Sequence, residues 1–293
     1  MTLVFQQIID GLAAGGIYAA LALSLVLVHR ATRFVNFAQG EMATFSVYLC
    51  WQMTVWGVPL YIAVLATALI SFVIGTVVFW LLIWPILDAP EETMVVSCVG
   101  LLVGFGAVCL WIWGSDNAEF PHLFSDKTWW LGGVRISANN VGVLVSLAVL
   151  ATSLALVFKH TRIGLAMRAA AMERRNSPFA GIEVKTMLMF GWGLAAVFSF
   201  VAGVLAAPSL FLSPTMMFNV LIYALAAASL GGWDSPIGAI VGGLILGVAE
   251  SVTTTFVKAI GADLRLAIPF LLMVIILAVR PQGLFGRSFT TRV

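Results

Sequence analysis

The stretch 5-FQQIIDGLAAGGIYAALALSLVLV-28 decides the fold class, because no charged residue follows Asp10 within it. A helix that crosses the hydrocarbon core of a bilayer needs about 20 mostly apolar residues, and this stretch is long enough. The whole chain is 61% hydrophobic and 10% charged, whereas a soluble domain carries about 25% charged residues. We therefore predict an all-α protein with several membrane-spanning helices.

Similar apolar stretches recur along the chain and predict a single transmembrane domain over residues 1–293. Nine candidate spans follow in order: 5–28, 36–56, 59–84, 93–113, 138–158, 186–207, 216–231, 237–257 and 264–280. The stretch 216–231 is short, and Gly231, Gly232 and Pro236 predict a tight turn before 237–257. These two stretches are either two full spans or partly re-entrant segments, so eight to nine spans are predicted.

The lysines and arginines predict the orientation, because cytoplasmic loops of membrane proteins are enriched in them. We place the N-terminus outside and count nine spans. The inner side then receives Arg30, Arg33, Lys159, Arg162, Arg168, Arg174, Arg175, Lys185, Arg280, Arg287 and Arg292. The outer side receives only Lys127, Arg135, Lys258 and Arg265. We therefore predict an external N-terminus and a cytoplasmic C-terminus.

Two connecting loops are long. The external loop 114–137 ends near Trp129 and Trp130, a pair typical of the membrane–water interface. The cytoplasmic loop 159–185 is the most charged part of the chain, and it contains a short helical pattern through Leu165, Arg168, Ala169 and Met172. Two interpretations remain open: an amphipathic helix that inserts into a groove on a cytoplasmic partner, or a solvated loop whose arginines only maintain orientation.

Small residues repeat every four positions on two of the predicted spans. Gly11, Gly15 and Ala19 form one stripe, and Ala239, Gly243 and Gly247 form the other. In lipid, such stripes allow the backbones of two helices to approach closely. They indicate either packing within one chain or a contact with a second subunit or a pore.

Polar residues inside the apolar stretches are few, and each is a candidate for a functional role because polar groups are costly in lipid. Asn36 fits an N-cap of the second span, and Glu41 lies in its first turn, where the helix dipole favours a carboxylate. Alternatively, Asn36 and Gln39 share one helix face and line the inner end of a pathway. Further candidates for a polar lining of this pathway are Glu41, Glu250, Tyr18 and Asn219.

Several kinds of catalytic site are missing from the sequence. Without a Gly-Lys pair it has no phosphate-binding P-loop, so we do not expect the chain to hydrolyse ATP itself. The three histidines lie singly, which argues against a metal site. The sequence contains no nucleophile elbow and no pair of carboxylates within a span, so it gives no indication of an enzyme. Cys50, Cys98 and Cys109 lie in apolar stretches and are interpreted as buried, inert thiols.

The cytoplasmic loop resembles the coupling loop of the permeases of branched-chain amino acid ABC importers, whose pattern is T-R-x-G-x-A-x-R-A-x-A, then an acidic residue and an alanine-rich turn ending in G-I. This chain matches at Thr161, Arg162, Gly164, Ala166, Arg168, Ala169, Ala171, Glu173, Gly181 and Ile182. The segments 10–28 with 36-NFAQGEM-42, and 231–250 with 280-RPQGLFGR-287, resemble the family's terminal signatures. The family usually has Asp in place of Glu173 and most often His in place of Gln39.

The resemblance implies the permease subunit of an ATP-driven importer in the bacterial inner membrane. Its implied partners are membrane lipid, a second related permease, two cytoplasmic ATPase subunits that bind ATP and Mg²⁺, and a periplasmic binding protein; this chain itself is expected to bind no cofactor and no nucleic acid. The implied coupling residues are Arg162, Gly164, Arg168, Glu173 and Gly181.

The implied solute is a branched-chain or related amino acid, and the alternatives within the family are urea, amides, or aromatic and other organic acids. A different class, the ion-coupled secondary transporter, would require intramembrane acids near the midplane. Glu41 and Glu250 both lie near the ends of predicted spans.

Overall fold

The structure is a computed structural model that describes residues 2–125, 127–174, 176–256, 266–280 and 282–286. Its α-helices are α1 (Thr2–Thr32), α2 (Gln39–Val55), α3 (Leu60–Val78), α4 (Glu91–Trp113), α5 (Ala138–His160), α6 (Arg162–Met172), α7 (Val184–Leu210), α8 (Met216–Gly231), α9 (Pro236–Phe256) and α10 (Ala267–Val279). Two strands, β1 (Thr128–Leu131) and β2 (Val134–Ser137), lie between α4 and α5. The predicted inner residues Arg175, Arg287 and Arg292 and outer residues Lys258 and Arg265 lie outside the described part of the chain.

Every predicted span contains a helix, because lipid requires each backbone polar group to be bonded within the segment. Within the described residues, six helices are long and apolar enough to cross a membrane: α1, α3 with its continuation to Ile86, α4, α5, α7 and α9. The other three, α2, α8 and α10, have 17, 16 and 13 residues. At 1.5 Å per residue they measure about 20–26 Å, less than the ~30 Å hydrocarbon core. The count of eight to nine spans therefore stays a prediction.

The predicted external loop contains an antiparallel hairpin, which the all-helical prediction did not include. Trp129 pairs with Ile136 and Trp130 with Arg135. Gly132 and Gly133 form the turn with φ of +57° and +84°, as a two-residue hairpin turn requires. Aromatic and β-branched residues on both sides of a Gly-Gly pair favour this structure locally.

The chain divides into two units. The first contains Met1–Val26, Phe124–Leu147 and Asn219–Val293, and the second contains Leu27–Leu123 and Ala148–Phe218.

In the first unit, α1 and α9 pack with their backbones in direct contact. A Cβ atom added at Gly11 would lie 2.7 Å from the Cα atom of Val248, and one added at Gly15 would lie 2.6 Å from the carbonyl oxygen of Gly243. A Cβ atom at Gly247 would overlap the backbone of Gly11 and Gly15. The two small-residue stripes therefore lie against each other within one chain.

The turn between α8 and α9 is equally tight. Ala239 is fully buried, and a Cβ atom added at Gly231 would lie 2.6 Å from its backbone nitrogen. Gly232 has φ of +99°, a conformation that favours glycine. The segment 282–286 returns to this turn, where the N–H of Leu284 donates to the carbonyl of Leu230 at 2.8 Å.

The hairpin of the first unit is attached to α1 through one glutamine. The Gln6 amide oxygen accepts from the backbone N–H of Arg135 at 2.8 Å, and its nitrogen donates to the Arg135 carbonyl at 3.0 Å. The same nitrogen donates to Asp10, whose other carboxylate oxygen accepts from Asn140. Gln6 therefore satisfies backbone groups of β2 that would otherwise be an open strand edge.

In the second unit, α2, α3 and α7 pack tightly around buried aromatic residues. Trp192 on α7 is 1% exposed, and its ring lies 5.7 Å from that of Phe79 and 5.9 Å from that of Phe34. A Cβ atom added at Gly75 on α3 would lie 2.6 Å from the Trp192 carbonyl oxygen. Glycine thus allows α3 and α7 to approach closely.

The end of α3 changes into a π-helical turn, Phe79–Ile83, and then a 3₁₀ turn, Trp84–Ile86. Pro85 explains the change, because it has no N–H to donate to the carbonyl four residues earlier, at Leu81. Trp80 and Trp84 both lie beside the Lys185 ammonium group at the start of α7, 5.6 and 5.4 Å from the ring centroids.

Candidate functional site

The predicted cytoplasmic loop folds into the short helix α6, which begins at a sharp corner after α5. The Thr161 hydroxyl caps α6 by accepting from the backbone N–H of Gly164 at 3.0 Å. A Cβ atom at Gly164 would overlap the Val157 carbonyl oxygen and lie 2.6 Å from the Cα atom of Phe158. Gly164 is required here because the backbones of α5 and α6 meet at this residue.

One face of α6 packs against α7. Met167 and Ala170 are buried, and the Met167 methyl group lies within contact distance of the Gly191 position on α7. The opposite side exposes Leu165 and Met172 together with Arg168. The helical pattern recognised in the sequence therefore marks the outward face of α6.

A 3₁₀ turn, Ser177–Ala180, follows α6 and presents the most exposed large apolar side chain of the described residues, Phe179, at 91% exposure. The turn ends at Gly181, whose φ of +73° is in the left-handed region. Leu165, Met172 and Phe179 are the exposed large apolar side chains of α6 and this turn that we call together the α6 surface. Exposed apolar surfaces of this kind mark sites of interaction with other proteins.

Two residues that were not predicted as site residues, Arg174 and Ser177, hold this segment in place. The Arg174 guanidinium donates to the carbonyl of Thr32, at the end of α1, at 2.6 Å. The Ser177 hydroxyl lies 3.0 Å from the carbonyl oxygen of Ala169 and 2.6 Å from that of Glu173. Arg174 bonds to a residue far away along the chain, and Ser177 bonds back across the end of α6. The spacing of apolar residues in the sequence does not reveal contacts of either kind.

The charges of the segment have different environments. Arg162, Arg168 and Glu173 are exposed, and the Glu173 carboxylate accepts from Asn176 at 3.4 Å. Burial lowers the pKa of the Arg174 guanidinium from its ordinary value, and nearby Arg33 adds to the effect while Asp88 opposes it. Arg168 and Arg162 are therefore available to a partner, whereas Arg174 belongs to the scaffold.

The predicted amide pair Asn36 and Gln39 lies in the interior of the second unit, with exposures of 0% and 1%. The Gln39 oxygen accepts from the Asn36 nitrogen at 2.8 Å, and the Gln39 nitrogen donates to Ser199 and to the Ala195 carbonyl on α7. These bonds attach the start of α2 to α7.

Asn36 does not cap α2 as the sequence suggested. The helix begins at Gln39 with Ala38 as its N-cap residue, and the Asn36 oxygen accepts from the Ala38 N–H at 3.0 Å. The side chain therefore closes a turn ahead of the helix, an arrangement that competes with N-capping for the same oxygen.

Glu41, also on α2, is 3% exposed, and its Oε2 atom has no hydrogen-bond partner among the described residues. The Tyr48 hydroxyl, two turns further along α2, is likewise buried without a described partner. Glu41 lies in the first turn of α2, as the sequence predicted, and it is buried there because α2 starts inside the protein and not at its surface.

In the first unit, the structure brings together two candidates that are 232 residues apart in the sequence. The Tyr18 hydroxyl on α1 donates to the Glu250 Oε2 atom on α9 at 2.8 Å. The Tyr18 ring stacks on Tyr223 of α8, with centroids 4.5 Å apart and planes 7° from parallel. Asn219, one turn before Tyr223, is exposed and is not joined to this pair by the described bonds.

Glu250 is 8% exposed and is therefore buried within the first unit. Tyr18 lies near the middle of α1, and the bond therefore holds Glu250 away from the ends of that helix. Tyr223 was not singled out from the sequence, since a lone tyrosine in an apolar stretch gives no signal of its stacking partner.

The second unit also contains an apolar cavity of about 510 Å³. Its lining includes Phe45 on α2, Leu82 and Ile86 beyond α3, and Phe105 and Val108 on α4. Such a lining suits hydrocarbon and provides no charge for a zwitterionic solute.

Metal ligands do not cluster in the described residues: no three histidine, cysteine or acidic side chains lie together there. Cys50, Cys98 and Cys109 are buried free thiols.

Comparison with known proteins identifies the family to which this chain is similar. The model of the family described as branched-chain amino acid transport system / permease component matches residues 7–277. The high-affinity branched-chain amino acid transport permease LivH of Salmonella typhimurium is 25% identical over 303 residues, covering 98% of this chain and 97% of LivH. BraD, the corresponding high-affinity permease of Pseudomonas aeruginosa, is 26% identical over 304 residues, covering 98% of this chain and 97% of BraD. The solved structure of PsaBC from Streptococcus pneumoniae in complex with Fab covers 96% of this chain and 93% of the matched chain, at 10% identity and a TM-score of 0.48.

Proposed function

This chain belongs to the family of branched-chain amino acid transport system permease components, and we propose that it is the membrane-spanning subunit of an importer driven by ATP hydrolysis on separate subunits. It is an ABC transporter permease and a multi-pass protein of the inner membrane. The proposed cargo is a branched-chain or related amino acid, as the names of LivH and BraD suggest at 25–26% identity.

The observation that carries this proposal is the α6 surface. Leu165, Met172 and Phe179 are 61%, 78% and 91% exposed, yet the segment bearing them is fixed to α5 at Gly164 and to the end of α1 by Arg174. Exposed apolar side chains on an anchored segment, flanked by exposed arginines, suit a groove on a partner protein. Movement of such a partner is transmitted to α7 because α6 packs directly on it.

The proposed complex has five parts: two related permeases, two cytoplasmic ATPases that bind ATP and Mg²⁺, and a periplasmic binding protein that delivers the solute. The two ATPases occupy the cytoplasmic segments of the two permeases. Specificity is then shared with the binding protein, and this chain provides a passage opened in turn to each side. A motor shifts such an equilibrium only by binding the two states differently.

The test is reconstitution of the complete complex in proteoliposomes, with ATP hydrolysis and solute uptake measured together. We expect Arg168→Glu to abolish stimulation of ATP hydrolysis by the loaded binding protein while leaving membrane insertion intact. Lys159→Glu, the same charge reversal at an exposed residue ahead of α6, is the matched control and should retain stimulation. Normal coupling in Arg168→Glu would show that α6 is not the docking element.

The cargo is tested in the same vesicles with labelled leucine competed by urea and by an aromatic acid. We expect leucine to be retained and urea to compete poorly. Preferred uptake of urea, an amide or an aromatic acid would move the chain to another solute class within its family.

A second candidate function, ion-coupled secondary transport, is favoured by one observation: Glu250 is buried against the middle of α1, whereas the sequence placed it near a span end. The two functions make opposite predictions. Uptake by the importer should stop when ATP is removed and should survive an ionophore that collapses ion gradients, and a secondary transporter would show the reverse.

A further inference from the structure

The three residues Tyr18, Tyr223 and Glu250 form a small polar site within the first unit, supplied by α1, α8 and α9. Glu250 is 8% exposed and Tyr223 is 5% exposed, whereas Tyr18 is only partly buried, so the site lies largely within the protein but is not closed off. The close approach of α1 and α9 through Gly11, Gly15, Gly243 and Gly247 is what places the Tyr18 hydroxyl within 2.8 Å of the carboxylate.

The described residues match only part of the charge and hydrogen-bonding capacity of the Glu250 carboxylate. Among the described residues, its one hydrogen-bond donor is Tyr18, which bonds to Oε2, and no lysine or arginine pairs with it. A buried carboxylate is costly unless it is protonated or meets a cation. No described residue donates to the second oxygen, Oε1, and this atom is not among the fully buried atoms without a partner, so it can accept from a charged donor outside the described chain.

We propose that Glu250 binds the ammonium group of the transported solute, with Tyr18 holding the carboxylate in position. The proposal rests on the proposed function and adds to it the chemical group that the permease itself recognises. A primary ammonium group brings one positive charge and three N–H donors, which suit a carboxylate with a free oxygen.

Tyr223 is a positioning residue in this site. A tyrosine hydroxyl bonds to a carboxylate at a fixed angle only if its ring is held, and the parallel stack at 4.5 Å holds the Tyr18 ring. The aromatic faces also favour a cation over a neutral solute of the same shape. The site therefore selects solutes with an amino group and discriminates against their uncharged or deaminated analogues.

The experiment compares leucine with 2-hydroxy-4-methylpentanoate, in which a hydroxyl replaces the ammonium group and the carbon skeleton is unchanged. Both are supplied to proteoliposomes containing the complete complex, each at a concentration that saturates the binding protein. We expect Glu250→Gln to reduce leucine uptake by about tenfold or more, the size expected for loss of a charge-assisted hydrogen bond, while uptake of the hydroxy acid changes little. A purely structural role for Glu250 would lower both rates by the same factor and would overturn the proposal.

Two further variants keep the test decisive if Glu250→Gln assembles poorly. Tyr18→Phe removes only the hydroxyl and should raise the KM for leucine without altering that for the hydroxy acid. Thr254→Val, which removes a hydroxyl bonded to the Glu250 carbonyl one turn further along α9, is the control and should behave as wild type. Unchanged leucine preference in both Tyr18→Phe and Glu250→Gln would overturn the ammonium site.

The failure of this inference differs from failure of the proposed function. If the wild-type complex accumulates no solute with ATP, the importer assignment is wrong. If wild type imports leucine with ATP and the Glu250 variant does so equally well, the importer remains and only the ammonium site is lost.

Discussion

At the scale of single residues, two buried polar clusters differ in how many of their hydrogen-bonding groups have a partner. Gln39 uses its oxygen and its nitrogen in bonds to Asn36, Ser199 and the Ala195 carbonyl, so it is complete without a ligand. Glu250 has one described donor and retains an unused oxygen. Burial alone does not separate a structural polar group from a binding one, whereas the inventory of its hydrogen bonds does.

The Gln39 cluster gives a prediction about stability. Gln39→Leu leaves the Asn36 nitrogen without its oxygen acceptor and should cost about 1–3 kcal/mol, seen as a lower unfolding temperature of the purified complex. Gln39→His keeps one ring donor and one acceptor and should lose less. If Gln39→Leu unfolds like wild type but imports solute slowly, Gln39 lines the pathway and does not act as a clamp between α2 and α7.

At the scale of helices, the packing of α1 on α9 depends on residues without side chains. Gly247→Ala should force the helices apart, because the added Cβ atom overlaps the backbone of Gly11 and Gly15, and overpacking of this kind costs about 1–3 kcal/mol. The measurement is the thermal unfolding of the purified complex, together with its yield from membranes.

The matched control for that substitution is Gly106→Ala on α4. A Cβ atom at Gly106 meets nothing within 4 Å, and alanine is the better helix former by about 1 kcal/mol, so this variant should be as stable as wild type or more so. Equal stability of Gly247→Ala and Gly106→Ala would show that α1 and α9 are not in backbone contact.

The helices also show what sequence reasoning could reach. Apolar length predicted a helix at every span, because a helix in lipid satisfies its own backbone, which is a local property. The repeats at Gly11 and Gly243 predicted close helix contacts but not which helix meets which, since many pairings fit a stripe of small residues. The hairpin 128–137 was not predicted, although its Gly-Gly turn is a local signal. The sequence was searched for membrane-spanning helices, and the segments between them were not searched for strands.

At the scale of the whole molecule, the residues of the candidate site were only partly predictable. Tyr18 and Glu250 were each recognised as polar residues in apolar stretches, but their bond joins positions 232 residues apart and depends on helix packing. Tyr223 and Arg174 were not predicted as site residues because their roles come from a stacking partner and from a carbonyl at the end of α1. Local patterns find candidates, and tertiary geometry assigns their roles.

The orientation in the membrane is the remaining whole-molecule prediction, and it follows from the excess of basic residues on one side. Asn117 lies after α4 and Glu183 before α7, and both are exposed. The helix α5 lies between them and is long and apolar enough to cross the membrane, so we predict that they lie on opposite faces whether the total is eight or nine. With the three buried native cysteines replaced by alanine, we introduce Asn117→Cys or Glu183→Cys singly. A membrane-impermeant maleimide should label the cysteine at 117 in intact spheroplasts and the cysteine at 183 only after permeabilisation. The reverse labelling would show that the orientation is the opposite of the predicted one. The α6 surface would then lie outside the cell, where no ATPase could reach it. Labelling of both positions in intact spheroplasts would mean that α5 does not span the membrane, and would remove the basis for the coupling role of α6.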